Sequence, residues 1–129
     1  IPGSGLNDEN EEIQAYIVEE LYKTWFATRN MKSIVWWNLV DGYAAYAPLG
    51  SNEGENRCGG GPLRFDMSRK PAYEVLNNLI NKEWNTSFET VVDKNGELSF
   101  RGFYGEYEVI VDGNTYTVNF DSDGLEISL

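Results

Sequence analysis

The chain has 129 residues, enough for one ordinary domain or for part of one with a small module attached. Its 21 acidic residues against 10 basic ones give a formal charge of −11, which argues against nucleic-acid backbones and anionic membrane surfaces as partners. With no histidine and a single cysteine, Cys58, the chain lacks the commonest general base and metal ligand and cannot close an internal disulfide.

Hydrophobic residues make up 41% and aromatics 14%, so the composition is that of a folded chain. No apolar run approaches the ~20 residues that span a bilayer, so no membrane insertion is expected. The start, Ile1-Pro2-Gly3-Ser4-Gly5, reads as a cut or processed segment of a longer parent.

Residues 1–10 are polar and turn-rich. Asp8 with Glu11 has capping-box spacing and predicts a helix start near residue 9. Ile13, Ile17, Leu21 and Trp25 follow at i, i+4 spacing beside Tyr16 and Tyr22, predicting an amphipathic helix to about Thr28. Ser33 to Val40 is a nearly continuous apolar run, which predicts a strand buried on both faces. Residues 41–62 form a long glycine-rich loop, of a length that is usually functional or mobile. Leu63 to Asp66 is a brief extended stretch. Ser68 offers a cap for a second helix with Pro71 in its first turn, and Tyr73, Leu76, Leu79 and Ile80 form its stripe as far as Trp84.

From Asn85 the period changes to alternation. Short strands are expected near 88–92, 97–103, 106–111, 115–120 and 125–128, with turns at Asn95-Gly96, Asp112-Gly113 and Asp123-Gly124. Tyr107, Val109 and Val111 share one face, as do Tyr116, Val118 and Phe120. The fold class expected is α+β: two helices flanking a strand over 1–84, then a small antiparallel sandwich or barrel over 85–129.

Several side chains invite a chemical reading. Glu53 and Glu55 are the nearest thing to a carboxylate pair, but a glycine-rich loop supplies no means of raising one pKa, and a solvated loop is the expectation. Gly59-Gly60-Gly61 lacks the lysine and hydroxyl residue of a phosphate loop. Cys58 has no histidine partner for nucleophilic work. Asn119, Asp121, Asp123 and Gly124 mimic the start of a calcium loop and read better as a hairpin turn. No cofactor or metal is expected. Tyr104, Tyr107 and Tyr116 form either a sugar platform or a small-sheet core.

The middle of the chain resembles the end of a glycoside hydrolase family 10 barrel, the endo-β-1,4-xylanase family. The residues that carry the resemblance are Ile34-Val35-Trp36-Trp37-Asn38-Leu39-Val40-Asp41-Gly42, then Leu63-Arg64-Phe65-Asp66, then Lys70-Pro71-Ala72-Tyr73. It covers about residues 10–84. The tail from Phe100 to Val109 resembles, less specifically, an accessory β-module of some of these enzymes.

The resemblance implies the last strand of a (β/α)8 barrel and its two flanking helices, since a whole barrel takes about 250 residues. A retaining glycosidase needs two carboxylates about 5–5.5 Å apart. In the family these glutamates follow the fourth strand and end the seventh, so both would precede Ile1, and no catalytic residue is assigned. Trp37 matches the family tryptophan beneath the sugar at the cleavage point, and Asp41 matches the aspartate just beyond it. Where the family usually has a second tryptophan, this chain reads Ala44-Ala45-Tyr46, so Tyr43 or Tyr46 is the substitute. Trp36, on the opposite face of the strand from Trp37, is expected in the core.

Three roles follow as expectations: a C-terminal piece of a xylan-degrading hydrolase that is not catalytic alone, a polysaccharide-binding β-module, or a structural spacer. The parent would be secreted or held at the cell surface. A lone barrel strand leaves its edges and faces uncovered, so Trp25, Ile34, Trp36 and Trp37 need an oligomer partner, the β-module or the missing part of the parent.

Overall fold

The computed structural model describes residues 8–124 and 126. The expected strand at 125–128, apart from Glu126, and the chain start before Asp8 lie outside the described residues. Those residues form a small mixed α+β fold with two α-helices and a two-stranded antiparallel sheet. The chain divides into two compact units, between Lys82 and Glu83.

In the first unit, α1 runs Asp8–Phe26 and packs against α2, Pro71–Asn78. The buried face of α1 is Glu11, Gln14, Ala15, Val18 and Tyr22. This corrects the stripe expected from the sequence, because Ile13, Tyr16 and Ile17 are exposed. The reason is helical drift. At about 3.6 residues per turn, each i+4 step advances the face by about 40°. The row from Ile13 to Trp25 therefore begins on the outer side and winds inward, while two polar residues occupy the inner face. Glu11 is engaged there by Arg64, whose Nε donates to Oε1 at 3.0 Å and whose Nη2 bonds Oε2.

The second helix departs from expectation at its start. Lys70 is its N-cap residue, with no side-chain cap, and Pro71 opens the helix. Ser68 does not cap it. The Ser68 backbone N–H and hydroxyl both donate to Asp66 Oδ1, at 3.0 and 2.6 Å, closing a turn before the helix. After Asn78 the helix widens into a π turn, Leu79–Glu83, with Leu79 buried.

The segment from Ser33 to Val40 is not a strand buried on both faces. Among the described residues, its only ladder contact is one parallel bridge from Val40 to Leu63. Ile34, Trp36 and Val40 are half-buried, and the Trp36 ring lies 6.2 Å from that of Tyr22 on α1. Val35, Trp37 and Leu39 are exposed. An extended segment with a helix on one side alone keeps its other face open, and Asn38, at φ 60°, breaks the extended backbone although burial alternates through it.

In the second unit, β1 (Gly105–Val111) pairs with β2 (Asn114–Phe120) through an Asp112-Gly113 turn. Both turn residues have positive φ, 49° and 80°, as a type I′ hairpin requires. Tyr107 sits opposite Val118, and Val109 opposite Tyr116, so the expected face is formed. Tyr107 and Phe120 close an aromatic cluster with Phe100, which also meets Phe88. Residues 88–92 and 97–103 approach through a turn, with the Asp93 N–H donating to Glu97 O at 2.9 Å, but carry no strand ladder. The sheet among the described residues is thus a single hairpin.

Candidate functional site

The site lies in the first unit, around a cavity of about 500 Å³ lined by Tyr22, Trp25, Trp36, Trp37, Asp41 and the glycines 59–61. Its walls combine aromatic rings, glycine backbone and the aliphatic side chains of Ile34, Val35 and Val40, with Asn38, Glu55 and Asn56 among the polar groups. Burial pushes the Tyr22 phenol further above its ordinary alkaline range.

Loop 41–62 is built by hydrogen bonds. Gly50 N–H donates to Gly42 O at 2.9 Å. Asn56 accepts from Ala44 N–H at 2.8 Å and donates to Pro48 O at 3.0 Å. A short 3-10 turn, Gly54–Cys58, carries Glu55 and ends at Gly59 in the left-handed region.

Three side chains from three places then tie the three consecutive glycines. Lys70 Nζ donates to Gly59 O at 2.8 Å, Gln14 Nε2 to Gly60 O at 2.9 Å, and Gly61 N–H donates to Asp41 Oδ1 at 2.8 Å. A Cβ on Gly61 would stand 2.8 Å from Leu39 O, so only glycine lets the two backbones approach. Lys70 also forms an ion pair with Asp41 Oδ2 and is itself only 1% exposed.

Trp37 and Asp41 both line the cavity; Tyr43 and Tyr46 do not. The Trp37 ring is 72% exposed. Asp41 has both oxygens engaged, by Gly61 and by Lys70, and so acts as a clamp on the cavity floor. Tyr43 packs its ring 5.3 Å from that of Phe65, and Tyr46 projects fully into solvent at φ 64°.

Two residues that the sequence reading did not place in the site belong to it. Lys70 is the buried counter-ion of Asp41. Glu55 Oε2 accepts from Trp37 Nε1 at 2.9 Å and from Asn38 Nδ2 at 3.0 Å. These bonds hold the Glu55 carboxyl below the usual glutamate range. Lysine-proline at a helix start gives no local sign of a buried cation, and Glu55 meets Asn38 and Trp37, 17 and 18 positions away. Cys58 is exposed and free.

In the second unit, Tyr107 is spent in the aromatic cluster and its hydroxyl donates to Phe103 O at 2.8 Å. Tyr104 is exposed, with its hydroxyl on Asp123 Oδ1 at 2.8 Å. Among the described residues, no group of three or more acidic or cysteine side chains is placed to hold a metal, and no helix is long and apolar enough to cross a membrane. No protein-family model matches the chain, and no curated protein matches it.

Proposed function

We propose that this chain is the C-terminal part of a xylan-degrading glycoside hydrolase, with its barrel end in the first unit and an accessory β-module in the second. Its own task is to present sugar contacts; it is not catalytic alone. The observation that carries the reading is Trp37: a large ring, exposed at the rim of an aromatic cavity, its N–H held by a carboxylate. Sugar C–H faces stack on such plates, and the ring hydroxyls find polar groups at the edge. The ordered motifs from Ile34 to Gly42, Leu63 to Asp66 and Lys70 to Tyr73 support the same parent. The alternation of half-buried Trp36 with exposed Trp37 agrees with one face toward a helix and one toward a sugar cleft.

In this reading Trp37 is the stacking surface and Asp41 fixes the floor beneath it. Tyr46 is free to reach a neighbouring sugar unit, while Tyr43 supports the loop through Phe65. The parent acts outside the cell or at its surface, where the polymer is.

An amide NMR titration of the chain with xylohexaose tests this. Shifts at residues 37–46 are expected. Shifts confined to 88–129 would move sugar recognition to the β-module, where Tyr104 is the exposed ring. Well-dispersed peaks without shifts would refute sugar binding by this chain and leave a structural spacer.

A further inference from the structure

We propose that Glu55 is the positioning residue of Trp37: its carboxylate fixes the plane of the indole, so that an oligosaccharide meets a preset aromatic face with a carboxylate oxygen beside it. The inference rests on the sugar-contact reading above and adds to it the group that orients the contact.

The geometry begins with a conflict. Consecutive residues on an extended segment point to opposite sides. Trp37 and Asn38 nevertheless converge on one oxygen, Glu55 Oε2, at 2.9 and 3.0 Å. Asn38 achieves this by adopting φ 60°, a conformation that asparagine tolerates better than most side chains. Trp37 is 72% exposed, so packing does little to choose its rotamer. A charge-assisted bond from its one N–H to Glu55 supplies the restraint.

The carboxylate is itself held by an independent anchor. Its 3-10 turn starts at Gly54, φ 53°, and Asn56, the next residue after Glu55, is bonded to Ala44 and Pro48. Glu55 is therefore presented from one side of the loop to a ring on the other. Both bonds use Oε2 and Glu55 is exposed, so Oε1 is the acceptor offered to a sugar hydroxyl. Fixing the ring before binding removes part of the ordering cost of the complex.

The test compares wild type, Glu55→Ala, Glu55→Gln and Trp37→Phe by xylohexaose titration, together with solvent exchange of the Trp37 indole N–H without sugar. Glu55→Ala is expected to speed indole exchange and weaken sugar binding by about tenfold. Glu55→Gln, which keeps one acceptor, falls between. In a Trp37→Phe background, which has a ring but no N–H, Glu55→Ala should cause a much smaller loss, since most of its effect passes through Trp37. Unchanged Ala44 and Asn56 amide shifts show that the loop has stayed folded. Unchanged indole exchange, unchanged affinity in Glu55→Ala, or an equal loss in both backgrounds overturns the inference while the functional reading stands. A wild-type chain that binds no xylohexaose overturns the functional reading and this inference with it.

Discussion

Replacing Lys70 with methionine is expected to be the most damaging polar substitution in the first unit. The side chain is 1% exposed, pairs with Asp41 and donates to Gly59 O at 2.8 Å. Methionine keeps an unbranched apolar stem, one atom shorter, and carries no charge. It leaves the Asp41 carboxylate, whose side chain is 16% exposed, beside an apolar stem and leaves a glycine carbonyl without its donor. Breaking a buried pair on one side costs about 3–5 kcal/mol; the residual exposure of Asp41 puts this one near 3. At a urea slope of about 1–3 kcal/mol per molar, the midpoint falls by about 1–3 M. Urea unfolding followed by tryptophan fluorescence reads this unit, which holds Trp25, Trp36 and Trp37 of the four tryptophans. The double variant with Asp41→Asn keeps an acceptor for Gly61 N–H and leaves no unpaired charge, so it should recover about 1–2 kcal/mol of the loss. A single-variant cost under about 1 kcal/mol, or strictly additive losses in the double variant, would refute the argument.

Three further outcomes are expected. Trp37→Ala should abolish the xylohexaose shifts at residues 37–46 yet change stability by less than about 0.5 kcal/mol, because the ring is exposed; a large midpoint change would show that it packs. Gly61→Ala should cost about 1–3 kcal/mol in urea unfolding, since its Cβ would meet Leu39 O at 2.8 Å and Asn38 O at 3.0 Å, both backbone. The Asp93 carboxyl is held below the usual aspartate range by the N–H groups of Glu97 and Asn95. Its stabilising effect on that turn is thus full above the unfolded value and lost as pH falls through the lowered folded value; the protection of the Asn95 and Glu97 amides, taken relative to the intrinsic exchange rate at each pH, should fall there and stay constant at higher pH.

Local signals were readable where one residue type has one physical use. Pro71 at a helix start and Asp112-Gly113 between alternating runs came out as the sequence implies. Signals that depend on what lies across the fold did not. The apolar run at 33–40 announces burial but not which face lacks a cover, and Val35, Trp37 and Leu39 stand in solvent. Phe88 and Phe100 meet edge to face, with ring centroids 5.2 Å apart, yet their segments form no ladder. Alternation shows which side chains can share a face; it does not supply the backbone pairing that makes a strand.

The site was half legible for the same reason. Trp37 and Asp41 stand out in the local motif, whereas Lys70 and Glu55 acquire their roles only when loop 41–62 folds back. Lys70 and Gln14 are among the largest fully buried side chains, beside Leu79, Val18 and Pro62. An apolar-burial reading therefore overlooks much of what fixes this unit. The two donate to Gly59 and Gly60, and Asp41 accepts from Gly61. Apolar contact alone would hold α1, α2 and the 33–40 segment together without setting their register, since it is non-directional. Directional bonds from α1, from the residue capping α2 and from the end of that segment all close on one run of glycines. Glycine is needed there because the anchor points are backbone atoms that a side chain would keep apart, as the 2.8 Å approach at Gly61 shows. The cavity floor is thereby set by polar geometry, and Trp37 projects from a frame that its own exposed ring does little to build.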